Sequence, residues 1–420
     1  MDEVVVGIDL GTSKVSCVMA TRGEDGRLVV VGLGKAKSEG VRGGVIVNIR
    51  AAVKAVQEAI EAVEKSGYEV KEAVVGLAGG SVEGLNSRGV VAVSGQKEIR
   101  ADDVDRVLEA AKAVLIPLDR EILHVLPQEY IVDDARKIKN PVEMMGIRLE
   151  AEVHVVTATI AVSRNLVQAM NGAGLGVQEI VLNSLAASLA VLSKEEKEVG
   201  VLLLDIGAGT TSAVLFFEGA PHFSKVYSFG SERVTKDIAQ VLQLPDEEAE
   251  RIKVKYGCTW GEGLVDDGEV IIRGVGSRPP YTLRRSQIAR IIQARMEEIL
   301  AMVAKDAAKT GLLPQLGAGI VFTGGGSHLE GLPELARSVF GKPGRMGVPM
   351  GISGLEESWQ RPEYSAAVGL ALWGEHRLPY PEIEDGELGI PRKTVSRGSS
   401  RRSKNDALAK FWDFFKKNFI

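Results

Sequence analysis

One local pattern occurs twice in this chain, and it restricts the fold more than any other feature of the sequence. Residues 4–20 read VVVGIDLGTSKVSCVMA and residues 201–217 read VLLLDIGAGTTSAVLFF. Each is an apolar strand with an aspartate near its end, a turn of glycines and small hydroxyl residues, and a second apolar strand. That order predicts a β-hairpin whose loop exposes backbone N–H groups. Gly11 in the first copy, and Gly207 and Gly209 in the second, let the backbone approach an anion with no Cβ in the way. Thr12, Ser13, Thr210, Thr211 and Ser212 add hydroxyl donors. Asp9 and Asp205 stand at strand ends, where carboxylate, water and phosphate oxygens together could hold a Mg2+ ion. One copy alone is compatible with an ordinary polar turn; two copies, roughly two hundred residues apart, point to phosphate.

Rival phosphate loops do not fit. No G-x-x-x-x-G-K-[ST] run occurs. The stretch from Gly207 to Ser212 is half a dinucleotide fingerprint, but a strand follows it and the third glycine is missing. A third glycine cluster, GIVFTGGGSHLEGLPEL at 319–335, leaves a strand at Gly324, Gly325 and Gly326 and enters a helix predicted to start near Leu332 and Pro333. Backbone without side chains there can lie flat against a nucleoside. Two small-residue helices, NSLAASLAVL (183–192) and EYSAAVGLAL (363–372), complete the set. Their Ala, Ser and Gly faces allow close approach, as at a hinge between lobes; plain helix packing is the other reading. At 420 residues, with apolar runs alternating with amphipathic stretches, the chain suits an α/β protein of two lobes or a few subdomains.

The order hairpin, small helix, hairpin, triple glycine, small helix resembles the actin, heat-shock-chaperone and sugar-kinase superfamily. The resemblance implies two similar lobes with ATP and Mg2+ in the cleft between them. It assigns Asp9, Gly11, Thr12, Ser13 and Lys14 to the first phosphate loop, and Asp205, Gly207, Gly209, Thr210 and Thr211 to the second. Gly324, Gly325 and Gly326 fall in the adenosine loop, and Asp9 and Asp205 hold Mg2+ through water. Glu250 and Lys253, one turn apart in AERIKVKYG, match a ribose- and base-binding pair, although a solvated ion pair has the same spacing.

Within the superfamily the whole chain resembles the FtsA-like cell-division proteins, on GIDLGTSKVSCV, GVRGGVIVNI (40–49), LLDIGAGTTS, AERIKVKYGC and VFTGGGSHLEGLPEL. This likeness implies a first-lobe core of 1–83, 160–194 and about 362–378, with a small α/β insert at 84–159. It implies a second-lobe core of 195–230 and 306–361 and an outer subdomain at 231–305. It further implies actin-like filaments, recruitment of the tubulin-like ring protein FtsZ through its C-terminal peptide, contacts with other division proteins, and a place on the cytoplasmic face of the membrane at the septum. Arg284, Arg285 and Arg295 are the candidates for the acidic part of the FtsZ peptide; a solvated basic face is the alternative.

Phosphoryl transfer to water needs a group that orients or deprotonates the water. Some bacterial actins place an acid at the start of the first small helix; here the position falls on Leu182, Asn183 and Ser184. Asn183 could orient water but cannot serve as a base, so slow hydrolysis at best is expected, with ATP acting mainly as a conformational ligand. Two rivals remain: a small-molecule kinase of the same superfamily, and a structural relative like the pilus-assembly protein PilM. Neither needs the C-terminal tail described next.

Residues 391–404, PRKTVSRGSSRRSK, hold six Lys or Arg and no acid, so 379–404 is expected to be a disordered basic linker. Residues 405–420 turn aromatic again. Leu408, Phe411, Trp412, Phe415 and Phe419 fall on one stripe of a helix, with Lys416 beside it, a pattern suited to the headgroup boundary of an anionic membrane. Docking of this helix on its own body or in a partner groove is the alternative. No apolar run reaches the ~18–20 residues needed to cross a bilayer, so membrane contact is expected to be peripheral. The net charge of -5 argues against nucleic acid. Cys17 and Cys258 suit a reducing cytoplasm, and the five histidines lack metal spacing.

Overall fold

The computed structural model describes residues 3–79, 82–93, 97–264, 266–274 and 276–378. The linker at 379–404 and the tail residues Leu408, Phe411, Trp412, Phe415, Lys416 and Phe419 lie outside them. In chain order, β1 (Val4–Leu10), β2 (Lys14–Arg22) and β3 (Leu28–Lys37) form a meander. A short hairpin of β4 (Val41–Arg42) and β5 (Val45–Ile46) leads to α1 (Ile49–Glu64) and β6 (Glu72–Leu77). The insert follows as β7 (Glu83–Ala92), α2 (Ala101–Ala111), β8 (Arg120–Val132), β9 (Ala135–Ile138) and β10 (Arg148–Thr159). The chain returns through α3 (Ile160–Gly172), β11 (Gly176–Leu182) and α4 (Asn183–Val191). The second lobe comprises α5 (Lys194–Val199), β12 (Val201–Ile206), β13 (Thr211–Phe217), β14 (Ala220–Tyr227), α6 (Ser231–Leu242) and α7 (Asp246–Tyr256). It continues with β15 (Glu269–Ile272), β16 (Tyr281–Arg284), α8 (Arg285–Ala307), β17 (Gly319–Thr323), α9 (Leu332–Phe340) and β18 (Gly344–Met346). Helix α10 (Ser365–Trp373) closes the body.

The first lobe is built on a five-stranded sheet in the order β11-β6-β1-β2-β3. The second is built on β18-β17-β12-β13-β14. In β12, Val201 and Leu203 face the first-lobe core while Leu202 and Leu204 face the second-lobe core. A strand buried on both faces must be apolar at every position, which is why VLLL shows no alternation. A third core, around Val107, Tyr130 and Val153, belongs to the insert.

The two small-residue helices pack on one another. A Cβ on Gly369 of α10 would come within 2.0 Å of the Ala186 carbonyl oxygen of α4, so the helices meet at backbone contact that no larger residue permits. The insert holds the main surprise. Its chain leaves the first lobe after β6 and re-enters it at α3, yet its sheet β7-β10-β8-β9 continues the second-lobe sheet through β14. Strand β7 meets β14 antiparallel at Glu83 and Lys225, and the Val226 N–H donates to the Val82 carbonyl at 3.0 Å. An edge strand left open presents unpaired backbone groups; β7 joins that edge at its Tyr227 end through the one pair Glu83–Lys225 among the described residues. Side chains stitch the junction. His154 lies 2.7 Å from Asn86 Oδ1 and 2.8 Å from Ser224 Oγ, and Gln128 donates to the Pro221 carbonyl at 2.9 Å.

Candidate nucleotide cleft

The two aspartate hairpins have the same register. Asp9 pairs with Ser16 across β1–β2, and Asp205 pairs with Ser212 across β12–β13. Each loop is closed by one bond from its first glycine: Gly11 N–H to Lys14 O at 3.1 Å, and Gly207 N–H to Thr210 O at 2.8 Å. The loops face each other across a cleft of about 820 Å3, large enough for a nucleotide. They also touch. A Cβ on Gly209 would sit 2.4 Å from Thr12 Oγ1, and the Gly44 N–H reaches the same hydroxyl at 3.3 Å. The GVRGGVIVNI motif is thus a Gly-rich turn, β4–β5, brought against both aspartate-hairpin loops.

Electrostatics at the cleft floor favour a cation. Burial pushes the Asp9 carboxyl above its ordinary range, against the pull of the Asn183 amide, which donates to Oδ1 at 2.7 Å, and of the Lys14 charge. Burial, then the charge of Asp9, pushes Asp205 up to about 7. Burial also brings the Lys14 ammonium down to about 8, although Glu363 and Asp9 hold it up; its Nζ lies 4.2 Å from the Tyr364 ring centroid. Two desolvated carboxylates beside one lysine are short of positive charge. Among the described residues no group of three His, Cys, Asp or Glu could hold a metal. Asn183 Oδ1 is buried without a hydrogen-bond partner among the described residues and packs against Gly76 of β6, where a Cβ would come within 2.0 Å of it.

The second lobe supplies the other wall. Lys253 is 7% exposed, bonded to Thr235 Oγ1 at 2.9 Å and to the Ser231 carbonyl at 3.2 Å, and paired with Glu250 at 2.7 Å. The ion pair expected from the sequence forms, but only half of it is solvated: Glu250 is 48% exposed, while Lys253 is buried at its bonds to α6. The Gly324 to Gly326 loop crosses above Asp205. At φ +80°, a side chain on Gly324 would be strained and would meet Asp205 Oδ1 at 2.3 Å. The Gly324 N–H is anchored to the Pro362 carbonyl at 3.1 Å.

Thr12, Ser13, Lys14, Asn183, Gly207, Thr210, Glu250 and Gly325 line the cleft with both aspartates. Thr211 does not. It is the first residue of β13, wholly buried, and its hydroxyl donates to the Phe229 carbonyl at 2.9 Å. Strand alternation turns it away from the loop. Several lining residues escaped the sequence reading: Gly44, Ala78, Ser231, Glu232, His328, Arg361 and Glu363. Glu363 opens the small-residue helix motif and could have been found there; it accepts from His328 at 2.6 Å and pairs with Arg361 at 3.2 Å.

Of the three candidate arginines, two are engaged within the chain. Arg285 donates to the Tyr256 carbonyl at 3.1 Å and pairs with Glu330, and Arg295 pairs with Asp237 and Glu298. Arg284 is exposed, 3.7 Å from Asp267. No helix among the described residues is long and apolar enough to cross a membrane.

The family profile described as "Cell division protein FtsA" matches residues 202–369, and that of the "SHS2 domain inserted in FTSA" matches residues 79–157. A protein named cell division protein FtsA in Borreliella burgdorferi is 44% identical over 97% of this chain and 98% of its own length. Its namesake in Escherichia coli (strain K12) is 35% identical over 97% and 98%. Among solved structures, a PilM–PilN type IV pilus biogenesis complex aligns with TM-score 0.62 at 19% identity, covering 88% of this chain and 98% of the matched one. MreB5 of Spiroplasma citri bound to ADP aligns with TM-score 0.54 at 15% identity, covering 91% and 99%. At those identities the likeness is one of fold, an actin-like one, and the PilM alternative goes no further than that.

Proposed function

The chain belongs to the FtsA family of cell-division proteins, and from that premise we propose that it binds ATP with Mg2+ between its lobes, assembles into actin-like filaments, and ties the FtsZ ring to the cytoplasmic face of the membrane at the septum through residues 405–420. One observation carries the nucleotide reading: two aspartate hairpins from opposite lobes meet at one cleft, with a third glycine loop folded above the second aspartate. Asp9 and Asp205 would hold Mg2+ through water. A Mg2+ ion there would supply the positive charge that Lys14 alone does not. The backbone N–H groups of the two loops would take the phosphates, and Glu250 with Lys253 the ribose and base. The MreB5 neighbour, solved with ADP, supports the choice of an adenine nucleotide.

Binding is favoured over turnover. Asn183 spends its amide on Asp9, and a carboxamide takes no proton from water. The nucleotide then serves as a ligand that closes the lobes. Arg284, exposed at the start of α8, is the candidate contact for the acidic FtsZ peptide.

Calorimetry of the full chain with ATP and Mg2+ is expected to show binding, and Asp9→Ala to weaken it at least about tenfold, the loss of one charge-assisted contact. Absence of heat in the wild type would sink the reading. In parallel, Phe411→Glu with Trp412→Glu is expected to release the protein from anionic vesicles. Pelleting unchanged by that pair would remove the membrane tether from the proposal.

A further inference from the structure

The most exposed large apolar side chains among the described residues are not at the cleft. They lie in the insert, where Leu115 is 103% and Leu118 100% exposed. The sequence pattern carries α2 on to Val114, but the helix stops at Ala111, and residues 112–119 leave it as a loop. Pro117 forbids helix there and restricts Ile116 before it. The loop is held at both ends. The Val114 N–H donates to Lys112 O at 2.7 Å, the Arg120 N–H to Pro117 O at 3.0 Å, and the Ile160 N–H of α3 to Asp119 O at 2.9 Å. Two leucines are therefore displayed to water by an anchored turn, a costly arrangement unless something covers them.

The surroundings favour a basic cover. Asp102, Asp105 and Glu109 run along one exposed stripe of α2 leading into the loop, and Asp119 follows it; Glu109 is paired with Lys112 and Arg106 with Asp103, which leaves Asp102 and Asp105 as the open carboxylates of the stripe among the described residues. Partial burial, then the charges of Asp102 and Glu109, push the Asp105 carboxyl up, as expected where acids crowd. An apolar pair beside an acidic stripe is complementary to a segment with an aromatic stripe and many lysines and arginines. Residues 391–420 of this chain have that character: PRKTVSRGSSRRSK followed by NDALAKFWDFFKKNFI. Reach is no obstacle. A random coil as long as residues 379–404 would have an r.m.s. span on the order of 25–30 Å, about the radius expected of the body.

We propose that, away from lipid, the chain's own segment 405–420 docks on this surface, its aromatic stripe over Leu115 and Leu118 and its basic residues along the acidic stripe of α2. The tail is then masked until a membrane competes for it. The proposal rests on reading the tail as an amphipathic helix.

Two measurements on the full chain test it. The first is hydrogen exchange without lipid. Residues 113–119 are expected to be protected in the wild type and to exchange faster in Phe411→Glu/Trp412→Glu. Exchange unaffected by the tail substitutions overturns the proposal, and protection that grows with protein concentration assigns the cover to another copy and overturns the intramolecular form. The second is binding to vesicles of phosphatidylglycerol and phosphatidylcholine. Leu115→Ser/Leu118→Ser, at positions too exposed to matter for folding, is expected to bind about 3–10-fold more tightly, the gain from removing an intramolecular competitor at millimolar effective concentration. Weaker binding would make the loop itself a lipid contact and overturn masking, as would unchanged binding. If no variant binds vesicles yet the tail still protects the loop, the membrane reading fails and the docking stands.

Discussion

Asp205 is where stability and binding pull against each other. Its folded-state carboxyl is raised to about 7 by burial and by Asp9, so in the empty protein ionising it costs free energy that the unfolded chain does not pay. The penalty is absent below about pH 3, where both states are protonated, and it grows as pH rises toward 7. Asp205→Asn is therefore expected to stabilise the unliganded protein at pH 8 by on the order of 2–4 kcal/mol, falling to about 1 kcal/mol at pH 4.5, and to abolish Mg2+-dependent nucleotide binding. Thermal denaturation at the two pH values, with and without ATP and Mg2+, checks both halves. The same trade is common where a site holds unneutralised charge ready for a ligand. Lys253 makes a contrasting case: its charge is satisfied within the chain, so its role depends on where α6 and α7 hold it.

Among the elements, the strands that join the insert to the second lobe depend on a buried neutral histidine. Burial holds His154 down to about 3, and its ring spans Asn86 of β7 and Ser224 of β14. His124 of β8, brought down to about 4 by burial, accepts the Leu182 N–H of β11 at 3.2 Å and so ties the insert to the first lobe. As pH falls below 6.5, the unfolded chain binds protons that the native histidines refuse, and stability is lost until the folded values are reached. One such group costs about 2 kcal/mol at pH 5. Asp205 titrates in the same window with the opposite sign, so the effect is read as a difference. His154→Gln is expected to lose less stability than the wild type between pH 7 and pH 5, by about that amount, in urea unfolding. Equal slopes would show that His154 takes up its proton as readily in the native state as in the unfolded chain, and would overturn the buried neutral reading. Asp306, depressed to about 2 chiefly by its bonds to Lys309, Lys225 and Tyr227 against the effect of burial, acts only below that window.

Over the whole molecule, the charge is divided. The net charge is -5, yet residues 391–404 carry six Lys or Arg and no acid, so the remainder holds a larger acidic excess. If the tail rides on anionic lipid, each basic residue contributes roughly 1 kcal/mol near the surface, while the body is repelled. Replacing the six Lys and Arg by Gln is expected to weaken binding to anionic vesicles at least about tenfold and to flatten its salt dependence, leaving binding to neutral vesicles little changed. Flotation assays at 50 and 300 mM salt separate this from loss of the aromatic stripe, which should lower binding to both.

The sequence by itself determined the repeated aspartate turns, the triple-glycine loop and the small-residue helices, and through them the actin-like fold and the cell-division family. Turn chemistry and apolar periodicity act between residues close in the chain, so they are written locally. Tertiary structure alone decided that Thr12, Gly44 and Gly209 touch, that Thr211 points away while His328 faces the cleft, and that Lys253 is buried. It also decided that the insert's sheet continues the second lobe, though the first lobe carries its chain. Those outcomes depend on how lobes pack and which strand edge is left open, and no spacing within a segment records either.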